Sequence, residues 1–478
     1  MSLFRIVFLL ALTAAPAAGQ ITGAEHAARR DSLAGRIGNG IVIAFGGSTP
    51  TADFGPFYQL PAFRYLTGYQ HANATLIMVV RNGRHSSTLF VSRTEPRRAL
   101  YYGSEPDSAT IAGELRLASR DVADLVPVAD SLARSGLPWI TVRDVASTDF
   151  AAADSLTRGG QFMKALAARH PWLVVHDGHP TVAQLRARKS DAELALIRKA
   201  AAISSEGHRA AMKQIEPGMH EYDLQAIIEY TFRRGGSERP AYGSIVGSGP
   251  LSLQLHYMKD RRKIEPGEVV VIDAGAEFDG YTADVTRTLP IDGVYTEEQR
   301  NIYRLVRDAQ DAAERNSKAG MSMAAALDSS VAVRAKGLAA LGLIEGADAM
   351  YDPPGVQCGP ATAACRQVNL FTIHTITHGI GLEVHDPIHA YQDGKFAVGD
   401  AFTIEPGIYI STQLLDMLPD TPRNRAFAAK VRKTVERYQN TGVRIEDSYV
   451  VTKEGLERIS LVPRDLEEVE ALTRRPIP

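Results

Sequence analysis

Residues 269–289 read VVVIDAGAEFDGYTADVTRTL. Two β-rich apolar runs flank Gly275 and Gly280, which is the pattern of a hairpin with a glycine-bearing turn. Pairing of the runs brings Asp273 and Asp284 to the same end of the ladder. Carboxylates held that close repel, and one of them must keep a proton unless a cation sits between them. Alone, such a pair also fits two exposed hairpin acids, so the rest of the chain has to decide.

Three further segments decide it. HTITHGIGLEVHD (374–386) carries His374, His378 and His385; AFTIEPGIYI (401–410) carries Glu405; VRIEDSYVV (443–451) carries Arg444 and Glu446. His374 and His378 are four apart, a spacing that shares one face of a helix. The threonines and glycines around them disfavour helix, so strand and loop are expected, without the Glu of a zincin helix. Charged side chains are rarely buried unless paired or bound to metal. Asp273, Asp284, His378, Glu405 and Glu446 each lie in a strand-like apolar run, and a pair of divalent cations is the simplest shared partner. The chain reads as a two-metal hydrolase.

The order and spacing of GEVVVIDAGAEFDGYTADVTRTLP (267–290), HGIGLEVHD (378–386), FTIEPGIY (402–409) and GVRIEDSYVVT (442–452) resemble the catalytic domain of the aminopeptidase P and prolidase family of metallopeptidases. FRYLTGYQHANATLIM (63–78) is more weakly similar to that family's first domain. The resemblance implies an α/β N-terminal domain followed by an α+β "pita-bread" catalytic domain. It implies Asp273 as a bidentate ligand of one metal, Asp284 and Glu446 as bridges, and His378 and Glu405 completing the second site. Such a shell of hard donors favours Mn²⁺, with Co²⁺ or Zn²⁺ as alternatives. Two metals about 3.5 Å apart would hold a hydroxide that attacks the scissile carbonyl. Glu405 would pass the water proton to the leaving nitrogen. His256, in IVGSGPLSLQLHY (245–257), and His374 and His385 would orient substrate. Arg444 lies two residues before Glu446, on the same strand face, where it would tune that carboxylate. Ser448 departs from the family, in which many members carry another acid or Thr after the Glu-Asp pair.

The expected activity is release of the first residue from peptides with proline second. A prolidase restricted to Xaa-Pro dipeptides is the near alternative. A methionine aminopeptidase fits less well, since those are usually single-domain and cytosolic. A creatinase-like non-peptidase and a non-catalytic binding protein are opposed by the complete ligand set.

Outward from the site, the expected division is a signal peptide at 1–19, an N-terminal α/β domain at 20–184 and the catalytic domain at 185–478. MSLFRIVFLLALTAAPAAGQ has one Arg, an apolar run and small residues at two candidate cleavage sites. Export to the periplasm or outside the cell follows, with no membrane partner after cleavage. Residues 21–30 read as a flexible start. Ser190 with Glu193 is a capping box opening a long helix. Inserts at about 351–370 and 412–441 read as surface elaborations, and Cys358 and Cys365 in the first are able to close a small disulfide loop. A net charge of −2 over 478 residues, without a polybasic block, argues against nucleic acid. By the same resemblance a homo-oligomer is expected.

Overall fold

The computed structural model describes residues 20–50, 55–94, 96–142, 157–354, 364–387 and 394–474. The leader at 1–19 and Cys358 lie outside them. Among the described residues no helix is long and apolar enough to cross a membrane.

The first part is a six-stranded mixed sheet. Strand Gly40–Phe45 pairs antiparallel with Thr75–Arg81 and parallel with Trp139–Val142. Strands Arg84–Val91, Ala118–Asp121 and Val175–Asp177 complete it. Residues 21–30 are not a loose segment: Gly23–Ile37 is a helix, N-capped by Thr22, whose side chain accepts from Glu25 N. The run AEHAARRDS looks solvated because it is polar. Arg29 and Arg30 are nevertheless buried: Arg30 Nη1 donates to Leu66 O at 2.8 Å, and Arg29 pairs with Glu25 at 2.7 Å and stacks over the Tyr65 ring at 4.1 Å.

The second part opens with helix Asp191–Gln214, and the expected capping box is present: Glu193 N donates to Ser190 Oγ at 3.2 Å and Ser190 N to Glu193 Oε2 at 2.9 Å. Helices Asp191–Gln214 and Glu221–Arg234 precede strands Ile245–Ser248, Val269–Asp273 and Thr286–Pro290. Helices Glu297–Arg315 and Met323–Ala340 precede strands Ala401–Ile404, Gly407–Ile410, Thr441–Arg444 and Asp447–Val451. The same order of helices and then acid-bearing strands thus occurs twice. The two strand sets meet where Glu446 N donates to Thr286 O at 3.0 Å. That junction brings acids from distant parts of the chain together.

Neither insert is a simple surface loop. In the first, Tyr351 pairs with Cys365, and Cys365 is buried and disulfide-bonded. In the second, helix Pro422–Arg437 sends Phe427, Val431 and Val435 into the main core and leaves its basic face outside. The two parts of the molecule share a hydrophobic core, since Leu33, Leu66 and Val182 cluster with Ile197, Tyr281 and Leu382. Arg64 of the first part also pairs with Asp279, at the hairpin turn, at 2.5 Å.

Candidate metal centre

The hairpin read from the sequence forms. Asp273 stands opposite Thr286, and Phe278 opposite Tyr281. Asp279 and Gly280 make the turn at φ 46° and 74°, the left-handed pair that a tight antiparallel turn needs. Asp284 precedes the second strand, and its backbone is clamped by Ser448: Ser448 Oγ donates to Asp284 O at 2.7 Å, and Asp284 N approaches the same hydroxyl at 3.1 Å. The departure at Ser448 therefore has a structural use.

Glu446 is held in the same way from the other strand set. Its Oε2 accepts from Thr286 Oγ1 at 2.7 Å, and Arg287 Nη1 donates to its carbonyl at 2.6 Å. Glu405 is fixed by its own N–H, which donates to Ile376 O at 2.8 Å. The segment 372–387 is loop with a single bridge, Gly379 to Phe402, so His374 and His378 share no helix face.

Four of the five expected ligands converge. His378 Nε2 lies 3.5 Å from Asp284 Oδ2, 3.4 Å from Glu405 Oε1 and 3.7 Å from Glu446 Oε1. Ligand atoms of Asp284, His378 and Glu446 lie within 4.8 Å of one another. Asp273 stands beside this group but is otherwise engaged. Its Oδ2 accepts from Arg444 Nη2 at 2.6 Å and its Oδ1 from the Tyr242 hydroxyl at 2.6 Å. The same Tyr242 hydroxyl sits against Asp284 Oδ1. Arg444 was expected to tune Glu446, but its direct ion pair is with Asp273. Its charge nonetheless lowers the Glu446 carboxyl, as expected, and its Nε lies 3.3 Å from Thr286 Oγ1, the donor to Glu446; no direct ion pair forms because residues 445 and 446 leave the strand that ends at Arg444.

The electrostatics call for cations. Burial, then Glu446 and Asp273, pushes the Asp284 carboxyl well above the usual carboxylate range. Burial and Glu446 do the same to Glu405. Burial and Asp273 raise Glu446 to about 8. Burial acts upward on Asp273 too, but the Arg444 guanidinium and the Tyr242 hydroxyl outweigh it and hold that carboxyl low. The His378 ring points the same way. Its Nδ1 lies 3.2 Å from Gly379 O, so the proton belongs there and the Nε2 lone pair faces three carboxylates. Glu446 Oε1 is buried with no hydrogen-bond partner. A lone pair and an orphaned carboxylate oxygen aimed at one point, with only hard donors around it, fit a divalent cation.

The remaining predicted residues line the same cavity of about 530 Å³: His256, His374 and His385, with Met323 and Phe402 as apolar walls. The His385 ring stands edge-on to that of His378, with centroids 4.2 Å apart. His374 Nδ1 is 2.6 Å from Thr375 O and its Nε2 is 2.9 Å from the Tyr409 hydroxyl. That hydroxyl accepts from Arg444 Nη1 at 2.8 Å, so its own proton points to His374 Nε2. Burial, then Arg444, lowers His374 to about 3; burial, then His378 and His256, lowers His385 to about 4. Both rings are therefore neutral near pH 7. Gly407 lets this group close up, since a Cβ there would lie 2.7 Å from His374 Nε2 and 2.5 Å from the Tyr409 oxygen.

Sequence reasoning did not find Tyr242, Tyr409 or Thr286. Tyr409 lay within a quoted motif, but its hydroxyl mattered only once 374 and 444 were placed beside it. Tyr242 had no signal of its own, because pairing of Arg239–Pro240 with Ala276 and Glu277 alone brings it in.

Residues 195–453 match the model of metallopeptidase family M24, and residues 26–126 that of the aminopeptidase P N-terminal domain. The chain is 29% identical to the Xaa-Pro aminopeptidase of Escherichia coli K12 over 475 residues, 95% of this chain and 98% of that protein. It is 32% identical to the human Xaa-Pro dipeptidase over 316 residues, 61% of each. The solved structure of zinc-substituted E. coli aminopeptidase P with product superimposes with a TM-score of 0.75 at 27% identity, covering 96% of this chain and 100% of that one.

Proposed function

Because this chain belongs to metallopeptidase family M24, we propose that its centre removes the N-terminal residue from peptides whose second residue is proline. The observation that carries this reading is the convergence of Asp284, His378, Glu405 and Glu446 on one point, with Asp273 alongside. The similarity to an Xaa-Pro aminopeptidase over nearly the whole of both chains supports the substrate class. The five side chains would hold two divalent cations, and one imidazole among four carboxylates favours Mn²⁺. When bound, such a pair supplies Lewis acidity that polarises a carbonyl and brings the pKa of water toward neutrality.

The protein's own groups do the rest. Glu405, buried and pushed upward by its neighbours, is suited to take the proton of the attacking water and deliver it to the leaving proline nitrogen. That nitrogen has no N–H of its own before cleavage, so the delivered proton makes it a free amine. His374 and His385, held neutral, orient polar groups of the substrate without adding charge. His256 lines the same cavity and acts beside them. Tyr409 fixes His374, and Arg444 fixes both Tyr409 and Asp273.

We also propose that the mature enzyme is exported and assembles as a homo-oligomer; the leader-like residues 1–19 support the first part. A prolidase limited to dipeptides is kept as a second reading, favoured by the match to a dipeptidase. Purified enzyme loaded with Mn²⁺ should release alanine from Ala-Pro-Leu and leave Ala-Ala-Leu intact. Cleavage of Ala-Pro alone would make it a prolidase, and cleavage of neither proline peptide would overturn both readings.

A further inference from the structure

A second cavity adjoins the catalytic one. It has a volume of about 750 Å³, and His374 and Thr375 line both cavities. Its apolar walls include Leu327 and Val331 of helix Met323–Ala340, Leu370 of the first insert, and Leu414 and Leu418 of the second. The two inserts thus meet at one cavity beside the site.

One group in that wall is out of place among leucines. Arg334 is 1% exposed and lines the cavity. A guanidinium stays charged, and a buried charge is costly without an anion or a full set of acceptors. Buried Arg186, Arg287 and Arg444 each pair with a carboxylate at 2.6 or 2.7 Å. Buried Arg30 has no acid but donates to three carbonyls at 3.3 Å or less. Arg334 has neither: its hydrogen bonds go to Ser330 O and Gly407 O, both at 3.4 Å. Among the described residues no carboxylate lies within ion-pair distance of it. Burial lowers it to about 10, with only Tyr409 acting upward.

We infer that this cavity is the subsite for the peptide beyond proline, its apolar walls taking the third side chain and Arg334 taking a carboxylate. The inference rests on the proposed peptidase reading. The carboxylate has two possible sources, the peptide's C-terminus or an acidic third side chain. Hydrogen bonds to charged groups set the scale of the preference. Loss of a buried cation that binds the substrate carboxylate should appear in KM rather than kcat.

The test uses Mn²⁺-loaded enzyme with Ala-Pro-Leu, Ala-Pro-Leu-amide and Ala-Pro-Glu-amide. The wild type should prefer the acid over the leucine amide by roughly tenfold or more in kcat/KM, mostly through KM. Arg334→Met should bring that ratio to about one, while Arg334→Lys keeps part of it. Because the ratio is read on one preparation, it does not depend on how much of a variant folds. Should neither Arg334 variant fold, Leu418→Trp, which fills the cavity, should lower the same ratio. Efficient cleavage of Ala-Pro-Glu-amide would support the subsite and assign the carboxylate to a side chain. No preference in the wild type for either carboxylate-bearing peptide, Ala-Pro-Leu or Ala-Pro-Glu-amide, over Ala-Pro-Leu-amide, or a preference unchanged in Arg334→Met, overturns the inference. If the wild type cleaves none of the peptides, the peptidase reading fails, and calorimetric titration of N-acetyl-leucine against its amide decides the cavity. Tighter binding of the acid that Arg334→Met abolishes upholds the site, and equal or absent binding overturns it.

Discussion

Thr286→Val is the sharpest probe of how the centre is built. The substitution keeps the shape of a fully buried side chain and removes only its hydroxyl. That hydroxyl donates to Glu446 Oε2 at 2.7 Å and lies 3.3 Å from Arg444 Nε. A hydrogen bond to a buried charge contributes about 1.5–3 kcal/mol, and outer partners of metal ligands typically change metal affinity by roughly 10- to 100-fold. Both routes give the same expectation, a dissociation constant for Mn²⁺ about 10 to 100 times weaker. Because the Thr286 bond lowers the Glu446 carboxyl, its loss should also move metal uptake to higher pH. The assay is calorimetric titration of metal-free protein with Mn²⁺ at several pH values, with Thr286→Ser, which keeps the hydroxyl, as control. Wild-type affinity in Thr286→Val, with a pH midpoint unmoved, would refute the argument.

Other outcomes follow from the same geometry. Asp284→Ala and Glu446→Ala should each abolish activity and lower bound metal; full metal stoichiometry in both by elemental analysis would refute their role as ligands. Gly407→Ala should push Tyr409 and His374 apart and cost roughly tenfold or more in kcat, since small misplacements are expensive, while metal content stays normal; unchanged kcat would count against the Tyr409–His374 pair. The metal-free protein should lose stability as pH rises. Glu446 goes from the ordinary 4.5 to about 8 in the fold, so its contribution is complete below 4.5 and is lost as pH approaches 8. With Mn²⁺ present the carboxylates must ionise, so thermal stability should instead rise across that window, and parallel profiles with and without metal would contradict the assignment.

Much of the site was legible because its acids sit in apolar strand-like runs, where a charge has no other reason to be. The hairpin around Asp273 and Asp284 was readable from Gly275 and Gly280 between two apolar runs, and the helix at 191–214 from its capping box. What could not be read depends on contacts between remote segments. The pairing of Arg444 with Asp273 rather than Glu446 follows from where the strand ends, which no local pattern fixes. Tyr242 enters by strand pairing, and helix Gly23–Ile37 was hidden by charges whose partners, such as Leu66 O for Arg30 and Glu193 for Arg29, lie on remote helices. The second insert looked like surface because its apolar residues, Phe427, Val431 and Val435, are spaced along one face of a basic helix.

The most direct test of the account is to titrate metal-stripped protein with Mn²⁺ while following release of the first residue from Ala-Pro-Leu. Five side chains built to hold two cations predict no release without metal and a rise that saturates at about two equivalents. Full activity in the stripped protein, or activity that saturates with no metal bound, would contradict it.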